Sequence, residues 1–170
     1  KGVMEGIKDT FRHFSLTLRC SLIGVFIGIM PGLGGAVAQW VSYAHATQSA
    51  KTEEERAGFG KGDVRGVIGP ASANSKEGAG LLPTVGFGIP ASTGTAILLG
   101  AFFLLGIVPG PDMLTKYLPL TFSLVWTVII ANILVVAASL LFINRLATMT
   151  EIRGNIIIPF ILLLTFIGGY

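Results

Sequence analysis

Two short stretches interrupt apolar runs with helix-ending residues and hydrogen-bond donors: Pro31-Gly32-Leu33-Gly34-Gly35 and Pro90-Ala91-Ser92-Thr93-Gly94-Thr95. A helix that restarts after such a break offers free N–H groups and the positive end of its dipole to an anion. The unwound carbonyls beside it can hold a cation such as Na⁺. Ser92, Thr93 and Thr95 stand at the start of the second restarted run, where an anion would sit. Neutral N–H and hydroxyl donors bind an anion yet release it, which carriage requires. Between the breaks lie Asn74 and Ser75, and an amide there could bond a carboxylate or coordinate a cation. The plainer alternative is a proline-kinked helix with Ser/Thr caps and an Asn turn. Two breaks beside the small, polar 66–80 stretch favour a binding site over that alternative. Lys76 and Glu77 read as a solvated pair at a cavity mouth rather than an intramembrane relay. His13 and His45 each lie near a charged block and read as interfacial, with a proton carrier at His45 the lesser reading.

Enzyme chemistry finds no support in the motifs. In Gly58-Phe59-Gly60-Lys61-Gly62-Asp63, a glycine stands where a phosphate-binding loop needs Ser or Thr, and Glu55 stands where it needs Gly. The Pro90–Gly94 stretch resembles a nucleophile elbow with proline in place of its first glycine, and neither histidine has an evident acid partner. The single Cys20 excludes an internal disulfide and a multi-cysteine metal site, and no paired-histidine metal spacing occurs. No bound cofactor is expected. The net charge of +3 is spread over short blocks, which argues against a nucleic-acid surface.

The elements that carry these stretches are membrane segments. Only 12% of the 170 residues are charged, 52% are hydrophobic and the mean hydropathy is +0.75, where a soluble domain carries about 25% charge. Tyr117 to Asn144 holds no Asp, Glu, Lys or Arg, and about 20 residues already cross a hydrocarbon core of about 30 Å. Leu16–Met30 and Ala36–Ala46 span only about 22 and 16 Å as helices. Two half-crossings meeting at a Pro/Gly tip fit these lengths, giving a re-entrant hairpin over 16–48 with its break at 31–35. One long kinked helix is the alternative. Gly24-x-x-x-Gly28 fits a small-residue seam that lets another helix approach closely. A polar cytoplasmic loop over 51–65 follows, then a discontinuous segment over 66–108 broken near 90. A transmembrane helix over 120–144 and the start of a truncated span over 156–170 complete the chain. Residues 1–15 read as an amphipathic interfacial segment, with Val3, Met4, Ile7, Phe11 and Phe14 at helical spacing.

Charge distribution favours the hairpin. Lys1, Lys8 and Arg12 precede it with Arg19 in its first turn, and Lys51, Arg56, Lys61 and Arg65 follow it. A hairpin returns both blocks to one side; residues 81–108 then cross and Leu120–Asn144 returns, leaving Arg145 and Arg153 on that same side, as the positive-inside rule expects. No secretory leader pattern opens the chain. It lacks an initiator Met and stops within an apolar run, so a fragment of a longer membrane protein is expected. Gly-Ile precedes proline three times, at Gly28, Gly88 and Gly106.

Gly24-Val-Phe-Ile-Gly-Ile-Met-Pro-Gly-Leu-Gly-Gly35 fits G-x-x-x-G-x-x-P-G-x-G, and the 66–114 stretch follows it in order. Together they resemble the large membrane subunit of tripartite tricarboxylate transporters, the TctA family, at the start of its second half. That resemblance implies an all-α, polytopic transmembrane helical protein with re-entrant or broken helices, one inverted-repeat half of a secondary transporter. It implies a multi-pass protein of the bacterial inner membrane. The carboxylate substrate would come from a periplasmic solute-binding protein, beside a small four-helix membrane subunit, with Na⁺ or H⁺ as coupling ion. Carried over by position, the family's glycine-rich break falls on Pro31–Gly34 and its second signature on Pro70–Ser75 and Gly88–Ser92. The family commonly has Pro-Glu-Ala-Ala-Asn-Asn where this chain has Pro70-Ala71-Ser72-Ala73-Asn74-Ser75. That departure puts the substrate or the coupling-ion site in doubt, not the family. A passive channel or a structural membrane domain is the alternative function.

Overall fold

Small residues set much of how residues 2–122 pack. A computed structural model describes residues 2–150 and 154–168. Lys1, Arg153, Gly169 and Tyr170, to which the sequence reading assigned roles in flanks and spans, lie outside the described residues. Helix and turn make up the described residues, without strands, in keeping with the all-α expectation. Helix α1 (Gly2–Arg12) buries none of its residues, and Met4 and Phe11 are exposed. It meets α2 (Phe14–Ile29) at a bend of 76°. After the turn at Met30–Leu33 the chain doubles back as α3 (Gly34–Gln48). Leu16 and Cys20 cluster with Ala46, while Ile27 clusters with Ala38 nearer the turn, so α2 and α3 run antiparallel. Cys20, Ala38, Ser42 and Ala46 are all fully buried, and side chains this small let the two backbones come close. The Cys20 thiol donates to the Ser42 carbonyl at 3.8 Å.

Ser42 pays for that proximity with an orphan. Its hydroxyl is buried without a hydrogen-bond partner, as is Nε2 of His45 one turn on. An unpaired buried hydroxyl costs about 1–3 kcal/mol. Ser42→Ala removes it and leaves the packing volume nearly unchanged. The variant is expected to melt at or above the parent temperature in detergent, and a clear drop would mean that the hydroxyl has a partner after all.

A polar loop closes the open end of the pair. Thr52 caps the short α4 (Glu53–Ala57) by accepting the Glu55 N–H at 3.2 Å. Arg65 then clamps the loop: Nη1 donates to Glu55 Oε2 at 3.0 Å and Nη2 to Asp63 Oδ2 at 2.7 Å. Its guanidinium also lies 5.4 Å from the Phe59 ring centroid, and Phe59 meets Tyr43 of α3 edge-on. Helix α5 (Arg65–Ser72) packs along α3 at Gly69, where an added Cβ would stand 3.0 Å from that of Ala46.

The small, polar stretch that follows crosses α2. It forms a 3₁₀ turn (Ala73–Ser75), α6 (Lys76–Ala79) and α7 (Leu81–Phe87). Next come α8 (Thr93–Leu104) and a second 3₁₀ turn, Pro111–Leu114. Both α7 and α8 end on a left-handed glycine, Gly88 at φ 69° and Gly106 at φ 71°, a conformation that strains any residue with a Cβ. The Gly110 N–H donates to Val85 O at 3.0 Å, tying the later turn to α7.

The chain divides into a second unit after Phe122, inside α9 (Leu118–Thr150). Leu118–Ile143, of mean hydropathy 2.5, is the one helix among the described residues long and apolar enough to cross a membrane by itself. Within the helix the Thr127 hydroxyl donates to Ser123 O and Asn132 Nδ2 to Val128 O, both at 2.8 Å, while the Thr121 hydroxyl donates to Met113 O at 2.6 Å. Helix α10 (Gly154–Gly168) is apolar, contains Pro159, and is about 22 Å long.

Candidate functional site

The second break builds itself from three residues. Ser92 starts α8 with a capping box: its Oγ accepts the Thr95 N–H at 3.4 Å, and Thr95 Oγ1 accepts the Ser92 N–H at 2.8 Å. Thr95 Oγ1 also accepts the Ala91 N–H at 2.9 Å and donates to Ser92 O. Thr95 is buried, and its hydroxyl is used in holding the break. Thr93 and Gly94 are exposed, and their N–H groups belong to the first turn, where a helix has no partner of its own for them. Ser92 and Ala91 are half-buried, as is Pro90.

This break meets the far end of α2. Ala91 and Ser92 line a recess of about 20 Å³ together with Ile27, Gly28, Met30, Lys76, Glu77 and Gly80. The end of α2 and the second break, some sixty residues apart in the chain, therefore share one wall. Gly28 permits it, because a Cβ there would stand 2.5 Å from Lys76 O and 2.8 Å from Lys76 Cα. Gly24 does the same one turn earlier, where a Cβ would stand 2.5 Å from both Ala73 O and Ser75 Oγ. The glycine seam thus receives the 3₁₀ turn and α6.

Other expected site residues lie elsewhere. Pro31, Gly32 and Leu33 form the exposed turn of the α2–α3 pair and do not line the recess, and Gly34 begins α3. Ser75 donates to Ser21 O at 2.7 Å, and the Ser21 hydroxyl returns a bond to Ser72 O, so both hydroxyls fasten the turn to α2. Asn74 is exposed, and its Oδ1 accepts from Gln39 Nε2 at 3.2 Å. Gln39 also borders a wider cleft of about 400 Å³ with Trp40, Tyr43 and Pro70. The sequence reading left Lys76 in solvent. Instead its side chain is 12% exposed, with Nζ 3.1 Å from Glu77 Oε1. The signal for it lay in the sequence: Lys76 and Glu77 are the only charges between Gly66 and Val108. Among the described residues no group of His, Cys, Asp and Glu is placed to hold a metal.

A profile of the tripartite tricarboxylate transporter TctA family matches residues 1–170. The chain belongs to the TctA family. That family is described as one of tripartite tricarboxylate transporters, and the apolar span of α9 is in line with a membrane protein. Two similar proteins come from Agrobacterium vitis. One, an uncharacterized 52.8 kDa protein in the TAR-I ttuC' 3' region, is 33% identical over 165 residues. The other, an uncharacterized protein in the TAR-II ttuC' 3' region, is 34% identical over 148 residues. These alignments cover 96% and 86% of this TctA-family chain but only 32% and 60% of the relatives. No solved structure matches the chain.

Proposed function

We propose that the chain forms part of the membrane permease of a binding-protein-dependent secondary transporter that takes up tricarboxylates or related carboxylates. The observation that carries the reading is the recess where the end of α2 meets the Ala91–Ser92 break. Non-helical backbone at membrane depth survives only inside protein or beside a wet cavity, and this break has both a protein wall and an opening. In this reading α2 and α3, about 24 and 22 Å long, form a re-entrant hairpin in a multi-pass protein of the bacterial inner membrane. Ala91 and Ser92 supply one wall of the carboxylate site with Pro90 and Thr93 beside them, and Pro31–Gly34, Asn74, Ser75 and Thr95 shape the backbone around it. A periplasmic solute-binding protein delivers the acid, a small four-helix membrane subunit stands beside the permease, and a Na⁺ or H⁺ gradient drives uptake.

Uptake of labelled citrate by proteoliposomes holding the full-length complex tests this. Ser92→Ala and Gly32→Leu are each expected to lower the initial rate at least tenfold. Unchanged uptake in both variants removes these residues from the site. Flux that persists without an ion gradient identifies a passive channel instead.

A further inference from the structure

We propose that Lys76 is the cationic contact for one carboxylate group of the substrate, and that Glu77 is its resident counter-ion, displaced when that carboxylate arrives. The inference rests on the carrier reading above and adds a residue and a recognition rule to it. Lys76 is held at its base, since its backbone is seated against α2 at Gly28. Its side chain is largely buried beside Ser92, Ala91 and Met30 in the recess. A lysine with so little of its side chain exposed favours keeping an anionic partner at its ammonium. The partner it has is poorly placed to stay. Neighbours in sequence do not face each other on a helix, so the 3.1 Å pair with Glu77 forms only by both side chains bending together. Glu77 is 58% exposed and recovers its water when it lets go. A substrate carboxylate entering the recess keeps the ammonium paired and adds hydrogen bonds at the break. The exchange conserves charge at the lysine and moves no proton.

The size of the recess sets the recognition rule. About 20 Å³ is room for about one water, hence for one oxygen of one carboxylate and not for a whole tricarboxylate. Lys76 therefore reads a single terminal carboxylate, and acids with one, two or three such groups share this contact. Discrimination among them falls to other parts of the full permease.

Citrate and succinate uptake by proteoliposomes of the full-length complex separates the outcomes. Lys76→Met is expected to raise KM at least tenfold for both acids, with Lys76→Arg within about threefold of the parent. Glu77→Gln is expected to lower KM for both, because the competing carboxylate is gone. A merely structural ion pair gives a different pattern: both single variants impair uptake alike, and the double variant restores it. That pattern, or a KM unchanged or raised in Glu77→Gln, overturns the proposal while leaving the carrier reading intact. A parent complex that takes up neither acid overturns both.

Discussion

Gly28→Leu is expected to leave no folded full-length protein in a detergent extract, with the monodisperse peak lost on size-exclusion chromatography. The Cβ alone would stand 2.5 Å from Lys76 O and 2.8 Å from Lys76 Cα. Those are backbone atoms, so no rotamer change makes room. Ordinary overpacking of a core costs about 1–3 kcal/mol. Here α6 must lift off α2, which also opens the recess and frees the 3₁₀ turn that Ser75 fastens to Ser21. Gly100→Ala is the matched control. It lies in the interior of α8 with nothing within 4 Å of an added Cβ, so helix propensity predicts a gain of about 1 kcal/mol. Equal loss in both variants would mean that the seam is not the cause.

Arg65→Ala is expected to loosen the 51–65 loop, lowering the melting temperature in detergent and opening the loop to proteolysis. Removing the guanidinium strips Asp63, whose side chain is 16% exposed, of its charged partner. The backbone N–H of residue 65 still donates to Asp63 Oδ1 at 2.8 Å, and losing the charged hydrogen bonds costs about 1–3 kcal/mol. Arg65→Lys rescues only in part, since a single ammonium cannot bridge Glu55 and Asp63 and lie over Phe59 together. Hydrogen bonds from Arg65 hold the Asp63 carboxyl below its ordinary value of 3.8 and that of Glu55 below 4.5. A carboxyl depressed in the folded state stabilises the fold above its ordinary value and loses that effect as pH falls through the depressed one. The parent loop therefore weakens below about pH 4, and Arg65→Ala flattens that dependence. Limited proteolysis at pH 6 and pH 3 checks both, and an equal pH slope in parent and variant would remove Arg65 from the clamp.

What could be read in the sequence was local backbone chemistry. Gly88 and Gly106, each followed by isoleucine and then proline within three residues, both end helices in the left-handed region. The same Gly-Ile at Gly28 does something else: Gly28 stays helical and gives its missing side chain to Lys76, and α2 ends one residue later. A motif fixes what a residue is able to do, and tertiary contact then chooses among the uses. Ser92 and Thr95 illustrate this too, since a cap and an anion site ask for the same hydroxyls, and the capping box takes Thr95 inward. The path of residues 66–80 left no trace in the sequence. Ala, Gly and Ser carry no apolar periodicity, and what fixes them is distant in the chain: Ser75 on Ser21, and Asn74 on Gln39. The burial of Lys76 follows from that path: a lone charge pair in an uncharged stretch marked the residue, and only the path sets its depth.

The closed hydrogen-bond ring at Ala91, Ser92 and Thr95 has one further consequence. A break that satisfies itself keeps its shape while empty, and ordering it is not a toll on ligand affinity. It also has little capacity to act as the hinge, because bending there would sever several bonds at once. In the proposed carrier, alternating exposure of the site to the two sides of the membrane comes from the Ala91–Thr95 corner travelling as a rigid block. The flexing falls to segments without such a ring, such as the exposed Met30–Leu33 turn between α2 and α3.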